Sequence, residues 1–331
     1  MKIFLPFTVK GIGGTATFAL KFKEGMESLG HEVFFEYRPD YDVLLTIVQA
    51  PFRYLLDAKK RKKKIIQRLD GTWYWTVAGW KFPLYNLKAQ IIRHWFADFT
   101  IYQSAYSQFC SEVFLGKKQH DRSALIYNGV DLSLFSPLGD TRTLRDNKEQ
   151  RIFFTASAFR RADQILPLLQ ALKIYQKKYG DNFKCLVAGT FSKKVASLPQ
   201  KWSHFKQVEF LGKIDNKDLP AYERGADVFL FTHLNPPCPN NILEAMACGL
   251  PICGVDDGAM AELVQTGKNG LLLETKGTGF WKKRALNLGL FADNLAQITK
   301  NQKAYSEESR RIAEEKFSLK QMLERYANVI Q

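Results

Sequence analysis

Long apolar runs are missing from this sequence. Nowhere do 18 consecutive apolar residues occur, which excludes a helix that spans a membrane. Cysteine is scarce: the five residues Cys110, Cys185, Cys238, Cys248 and Cys253 are odd in number, scattered and without a CxxC pair. That argues against a disulfide framework and structural zinc, and for a reducing compartment. Acid is in deficit, with 33 Asp+Glu against 48 Lys+Arg and a net charge of +15. The excess is not a tail, because residues 1–150 already carry 22 basic and 15 acidic residues. Such a charge favours an anionic partner without choosing between a membrane surface, nucleic acid and a phosphorylated substrate. Internal repeats are absent, and the only low-complexity segment is the run Lys59-Lys60-Arg61-Lys62-Lys63-Lys64.

What is present is ordinary globular material: 331 residues, 46% hydrophobic and 24% charged, enough for two domains. The opening Met1 to Phe7 is too soon interrupted by Pro6 for a secretory core and reads as a first buried strand, Ile3 to Phe7. The glycine-rich turn Gly11-Ile12-Gly13-Gly14-Thr15 follows. A helix then carries Phe18, Phe22 and Met26 on one face and stops at Gly30. His31 to Tyr37 has strand character, completing a βαβ unit, with His31 in a structural role. Val43–Ile47, Ile65–Arg68, Phe99–Gln103 and Ala124–Tyr127 read as further strands, and Asn86–Phe96 as a helix.

A polar stretch over residues 136–150 is the expected linker. A second series begins with a strand at Arg151–Thr155 and a helix at Gln164–Tyr179. Strands at Phe183–Ala188, Val208–Leu211, Val228–Phe231 and Pro251–Val255 follow, with a helix at Ile242–Cys248. Residues 306–331 are charged and helix-forming, with a break near Phe317-Ser318. Strand–helix alternation in both halves predicts two doubly wound parallel sheets, with ligands at the carboxyl ends of the strands in a cleft between them.

The most specific stretch runs from Asn240-Asn241-Ile242-Leu243-Glu244 through Gly249-Leu250-Pro251 to Gly258-Ala259-Met260-Ala261-Glu262. A helix beginning near Asn240 offers backbone N–H groups to an anion, and Glu244 near its start suits vicinal hydroxyls. This stretch resembles the nucleotide-sugar domain of glycosyltransferase family 4, which has the GT-B fold. Gly13-Gly14-Thr15 with Leu29-Gly30-His31-Glu32-Val33, Tyr127-Asn128-Gly129-Val130-Asp131, Phe210-Leu211-Gly212-Lys213 and Ala226-Asp227-Val228-Phe229-Leu230 extend the resemblance in order.

The resemblance implies a GT-B architecture of three parts: residues 1–140 as an acceptor-side domain, 151–312 as a nucleotide-sugar domain, and 313–331 as a helix returning to the first domain. It implies metal-independent transfer of a sugar, with retention, from a UDP- or GDP-sugar to a glycan, lipid-linked or other hydroxyl acceptor. No metal and no cofactor are expected. Glu244 takes the place of the second glutamate of the family's E-x7-E motif, on the donor ribose. Arg160 and Arg161 would neutralise the leaving diphosphate. Asp70, where relatives carry His or His-Asp, would orient a hydroxyl near the reacting sugar. Gly13, Gly14 and Thr15, with Lys213, Asn240, Asn241 and Glu262, complete the expected donor site.

Two positions depart from the family pattern. Pro236 stands eight before Glu244, where the first glutamate belongs, and Asp163 stands where a lysine is usual. They motivate a second reading, a GT-B protein that binds nucleotide sugar without turning it over. Cys238, in the presumed active loop, is expected to be accessible to thiol reagents. The run Lys59–Lys64, with Trp73, Tyr74, Trp75, Trp80 and Phe82 close behind, suits an anionic membrane surface. No nucleic-acid recognition motif accompanies it. A cytoplasmic protein, peripheral on the inner face of the membrane, is the expectation.

Overall fold

The computed structural model describes residues 1–7, 14–118 and 122–331. The chain divides into two compact units. Unit 1 comprises Met1–Gly129, Thr278–Lys283 and Leu319–Gln331, and unit 2 comprises Val130–Gly277 and Arg284–Ser318.

Unit 1 is built on a parallel sheet of β1 (Lys2–Phe4), β2 (Glu32–Phe34), β3 (Val43–Ile47), β4 (Lys64–Leu69), β5 (Phe99–Tyr102) and β6 (Ser123–Leu125), in the order β2-β1-β3-β4-β5-β6. Its helices are α1 (Gly14–Ser28), α2 (Phe52–Lys60), α3 (Trp75–Ala78), α4 (Phe82–Ile91) and α5 (Ala105–Leu115), with a π-turn over Ile92–Phe96. Val43, Leu44 and Leu45 are all buried, as a parallel strand covered on both faces requires. Phe18, Phe22 and Met26 pack α1 onto the sheet, and Gly30, at φ +81°, ends the turn that follows. Ser104 caps α5 by accepting from the Ser107 N–H at 2.9 Å.

Unit 2 repeats the plan with β7 (Arg151–Phe159), β8 (Phe183–Phe191), β9 (Val208–Gly212), β10 (Val228–Phe231), β11 (Ile252–Asp256) and β12 (Gly270–Glu274), in the order β12-β11-β10-β7-β8-β9. Its helices are α6 (Leu166–Tyr179), α7 (Leu198–Trp202), α8 (Leu219–Gly225), α9 (Asn240–Ala247), α10 (Met260–Leu263), α11 (Leu288–Lys300) and α12 (Gln302–Lys316). All paired strands are parallel.

The chain then returns to unit 1 as α13 (Leu319–Ile330). Met322, Leu323, Tyr326 and Ile330 form its buried stripe against α1 and the sheet. Gly129 shows why a glycine stands in the Asn128-Gly129 turn: a Cβ there would lie 2.6 Å from the Leu319 Cα.

The stretch 136–150 is not a free linker. Arg145 donates to both carboxylate oxygens of the buried Asp227, at 2.7 and 3.1 Å, and Arg224 donates to the carbonyls of Ser136 and Asp140. These charge-assisted bonds fasten the stretch to unit 2, and the change of unit falls at Gly129/Val130. The basic run and the aromatics after it also separate. Lys59 and Lys60 close α2 and Lys64 opens β4, whereas Trp73 to Phe82 follow the other end of that strand. Six residues of strand set the two groups about 20 Å apart. They therefore do not form one surface.

Candidate functional site

In unit 2, β8 and β10 flank β7 on opposite sides, so the topology reverses between β7 and β10. Ligands of open α/β sheets bind outside the carboxyl ends of the strands at such a reversal. Three segments meet there. The first is the turn after β7, where Arg160 and Arg161 both donate their backbone N–H to Gln164 Oε1, at 2.7 and 3.0 Å. The second is the loop after β10, where Thr232 Oγ1 donates to the Gln164 carbonyl at 3.2 Å and His233 Nδ1 lies 3.4 Å from Gln164 Nε2. The third is the turn after β11, whose Ala259 N–H donates to the Pro236 carbonyl at 2.8 Å.

Asp163, expected to oppose a diphosphate, is already neutralised. It pairs with Arg161 Nε at 2.9 Å, which leaves Arg160 as the exposed cation of the turn. The absent first glutamate also has a structural reason. Pro236 is buried against Gly258, where a Cβ would lie 2.4 Å from both the Pro236 Cδ and its carbonyl oxygen. Gly258 adopts φ +62°, so both its backbone and its surroundings require glycine. Each departure from the family pattern is thus met locally, Asp163 by its ion pair and Pro236 by its packing on Gly258.

Helix α9 starts beside this cluster. Asn241 donates from Nδ2 to the Ala156 carbonyl of β7 at 2.7 Å, while its Oδ1 accepts from the Ile242 N–H. Asn240 is the first helical residue and Glu244 is buried one turn on. Behind Glu244 lies the fully buried Glu223 of α8. Burial, reinforced by the charge of Glu244, pushes the Glu223 carboxyl well above the usual range. Glu262 lies on α10, after the Gly258 turn. Asp257, beside that turn, pairs with Arg284 at 3.0 Å, and burial pushes its pKa up to about 6 against the opposing pull of Arg284.

Lys213 stands apart. It follows the edge strand β9, two strands away from β7, and pairs only loosely with Asp215 at 3.4 Å. Cys238 is buried, at 5% exposure, which overturns the expectation of an accessible thiol.

The remaining expected residues lie in unit 1. Gly13 falls outside the described residues. Gly14 opens α1, and Thr15 Oγ1 donates to Asp70 Oδ2 at 3.3 Å, so Thr15 and Asp70 do meet. The other Asp70 oxygen accepts from Arg68 Nε. Arg68 is only 1% exposed; it also donates to Asn128 Oδ1 at 2.9 Å and to the Tyr326 hydroxyl at 3.2 Å, and its guanidinium lies 3.3 Å from the centre of the Phe18 ring. Burial alone would lower its pKa, but Asp70 and Tyr326 outweigh burial and raise it. Asp70 is therefore a fixed acceptor, held through both oxygens.

Residues 140–317 match the family described as Glycosyl transferases group 1. The chain belongs to this family. It is 23% identical over 175 residues to D-inositol 3-phosphate glycosyltransferase of Corynebacterium efficiens, covering 49% of this chain and 41% of that protein. It is 25% identical over 167 residues to N-acetyl-alpha-D-glucosaminyl L-malate synthase of Bacillus anthracis, covering 49% of this chain and 43% of that protein. The matches thus span less than half the length of these relatives. Sucrose-phosphate synthase from Thermosynechococcus elongatus superposes with a TM-score of 0.79 at 16% identity, covering 99% of this chain and 98% of that one. Anabaena Alr3699/HepE in complex with UDP and glucose superposes with a TM-score of 0.74 at 19% identity, covering 99% and 98%. The fold is the two-domain α/β GT-B fold.

Sequence reasoning passed over Arg68, Glu223, His233 and the Asp257–Arg284 pair. A signal existed for Arg68. Gln67 and Arg68 interrupt an otherwise apolar parallel strand, and both are buried, which a buried strand tolerates only when its polar groups are satisfied. Nothing in the sequence pointed to the others, because their partners come from distant segments.

Proposed function

We propose that this chain is a retaining, metal-independent family 4 glycosyltransferase. It transfers a sugar from a UDP- or GDP-sugar to a hydroxyl of a glycan or lipid-linked acceptor. The observation that carries the reading is the convergence, at the β7/β10 reversal, of the Arg160–Arg161 turn with the start of α9 and its buried Glu244. The anomeric carbon–oxygen bond to the donor phosphate breaks while the acceptor oxygen bonds to the same face of the sugar. The departing phosphate oxygen takes the acceptor proton. Arg160 and Arg161 offset the charge that develops on the diphosphate. Glu244 accepts from the ribose hydroxyls, and Asn240, Asn241 and Glu262 line the phosphate side; Lys213, two strands away, is not given a direct contact. Asp70 orients a sugar or acceptor hydroxyl as a fixed acceptor rather than as a general base. The Anabaena protein was solved with UDP and with UDP-glucose, which supports a uridine nucleotide.

Pro236 favours a second reading, binding without turnover, because no carboxylate stands at the first motif position. One experiment separates the two. Thermal shifts are recorded with UDP, GDP, ADP and their sugar conjugates in EDTA, followed by a transfer assay with the nucleotide sugar that stabilises. Stabilisation with transfer supports the enzyme, and stabilisation without transfer or donor hydrolysis supports the binding protein. Glu244→Ala should weaken nucleotide binding by about 1–3 kcal/mol, or roughly 5- to 150-fold. Unchanged affinity removes Glu244 from the site.

A further inference from the structure

The chain has six tryptophans, and five of them belong to unit 1. Trp73, Trp75, Trp80, Trp95 and Trp281 are each between 46% and 79% exposed. Soluble proteins rarely leave such side chains in water, and a contiguous apolar surface of this kind marks an interaction site. Ring contacts join part of this aromatic surface. Trp73 packs on Tyr85 at 5.4 Å between ring centres, and Trp281 packs on Phe82 at 5.6 Å and Phe114 at 6.1 Å. Leu84, Leu87 and Ile91 recur at helical spacing along α4, whereas the π-turn carries Trp95 to the other end of the sheet, three residues before the Asp98 that pairs with Lys59. Trp281 is presented by the segment 278–283, pinned where Thr76 donates its N–H to the Phe280 carbonyl at 3.0 Å and its Oγ1 to the Gly279 carbonyl at 2.8 Å.

Charge selects the partner. No Asp or Glu occurs from residue 71 to 97 or from 275 to 292. Lys81, Lys88, Lys282 and Lys283 lie in these stretches, with Lys81 Nζ 5.4 Å from the Trp80 ring centre. α5 adds the exposed Phe109 and Val113 and one carboxylate, Glu112, which accepts from Gln108 Nε2 at 3.2 Å. Tryptophan and tyrosine settle at the boundary between headgroups and acyl chains, and lysines beside them meet anionic headgroups. No helix among the described residues is long and apolar enough to cross a membrane.

We propose that unit 1 docks on an anionic lipid bilayer through the aromatic surface of Trp73, Trp75, Trp80 and Trp281, not through the Lys59–Lys64 run at the far end of β4. The run has its own local engagements: Lys59 pairs with Asp98 at 2.7 Å, and Lys64 donates to the Val329 carbonyl at 2.5 Å.

The test is co-sedimentation of the full chain with vesicles of phosphatidylcholine alone and with about 30 mol % phosphatidylglycerol added. Binding to the anionic vesicles, weakened by salt and accompanied by a blue shift of tryptophan emission, is expected. Combining Trp73→Ser, Trp80→Ser and Trp281→Ser should reduce vesicle binding at least about tenfold. Far-UV circular dichroism and the urea midpoint verify that the variant is folded, and Trp80→Ser alone provides a milder form. Lys62→Gln with Lys63→Gln should bind as the unaltered chain does. Three results overturn the proposal: no binding to anionic vesicles, undiminished binding by the folded tryptophan variant, or loss of binding only in the lysine variant. Concentration-dependent dimerisation that the tryptophan variant abolishes, without vesicle binding, would assign the face to a second copy instead.

Discussion

Arg68→Met is the sharpest probe of unit 1. Methionine fills most of the same volume and keeps contact with the Phe18 ring, but it removes every donor. Asp70, Asn128 and Tyr326 each lose a hydrogen bond, and these partners belong to segments far apart in sequence. Removing one member of a buried ion pair typically costs 3–5 kcal/mol. The Asp70 side chain is 17% exposed, so water recovers part of its solvation, and the low end, about 3 kcal/mol, is expected. For a unit of this size that corresponds to a fall in Tm of about 6–12 °C. Calorimetry of Arg68→Met, Asp70→Asn and the double variant closes a cycle. The expected coupling is about 1–3 kcal/mol. Arg68→Lys should recover only part of the loss, because an ammonium keeps the charge but cannot span three acceptors as a guanidinium does. An Arg68→Met protein that melts within about 1 °C of the unaltered chain, or a coupling near zero, would refute this account of the network.

Two further outcomes follow from unit 2. Gly258→Ala must place a Cβ 2.4 Å from Pro236 at a φ of +62°, so it should lower stability by about 1–3 kcal/mol and blunt nucleotide-induced stabilisation. Urea unfolding indistinguishable from that of the unaltered chain would sink the idea that the Pro236 loop and the β11 turn form one packed site. The imidazole of His233 is pushed down to about 3, first by burial and then by Arg161, with Asp163 opposing. The unfolded chain, whose histidine titrates near 6.5, therefore binds more protons between about pH 3 and 6.5. Stability from this residue rises with pH through that window and is complete above it. In His233→Gln the acid limb should be shallower by up to about 1.4 kcal/mol per pH unit, and equal slopes in both proteins would argue against a buried neutral imidazole.

Much of the architecture is legible in the sequence because its signals are local. A buried parallel strand is a short apolar run, so Val43–Ile47 and Val228–Phe231 are read with their observed limits. The stripe Phe18, Phe22, Met26 and the stop at Gly30 need only helical periodicity and a residue that tolerates positive φ. Short or two-sided elements escape this reading. β12 and the helices α2, α5, α8 and α11 have no counterpart in the sequence pattern, and the helix read from Asn86 begins at Phe82 and ends in a π-turn.

The sequence by itself determined the residue types and their order: two strand–helix series, a glycine-rich first turn, and the stretch around Asn240–Glu262. Tertiary structure decided which of those residues work together. Asp163 reads as a misplaced negative charge until Arg161 pairs with it, and Pro236 reads as a missing glutamate until Gly258 is found beneath it. Six cations followed by aromatics read as one surface until β4 sets them at opposite ends and segment 278–283 brings Trp281 to the aromatic side. The physical reason is common to all three. Pairing energies depend on separations of a few ångströms between segments far apart in the chain, and only the packed fold fixes those separations.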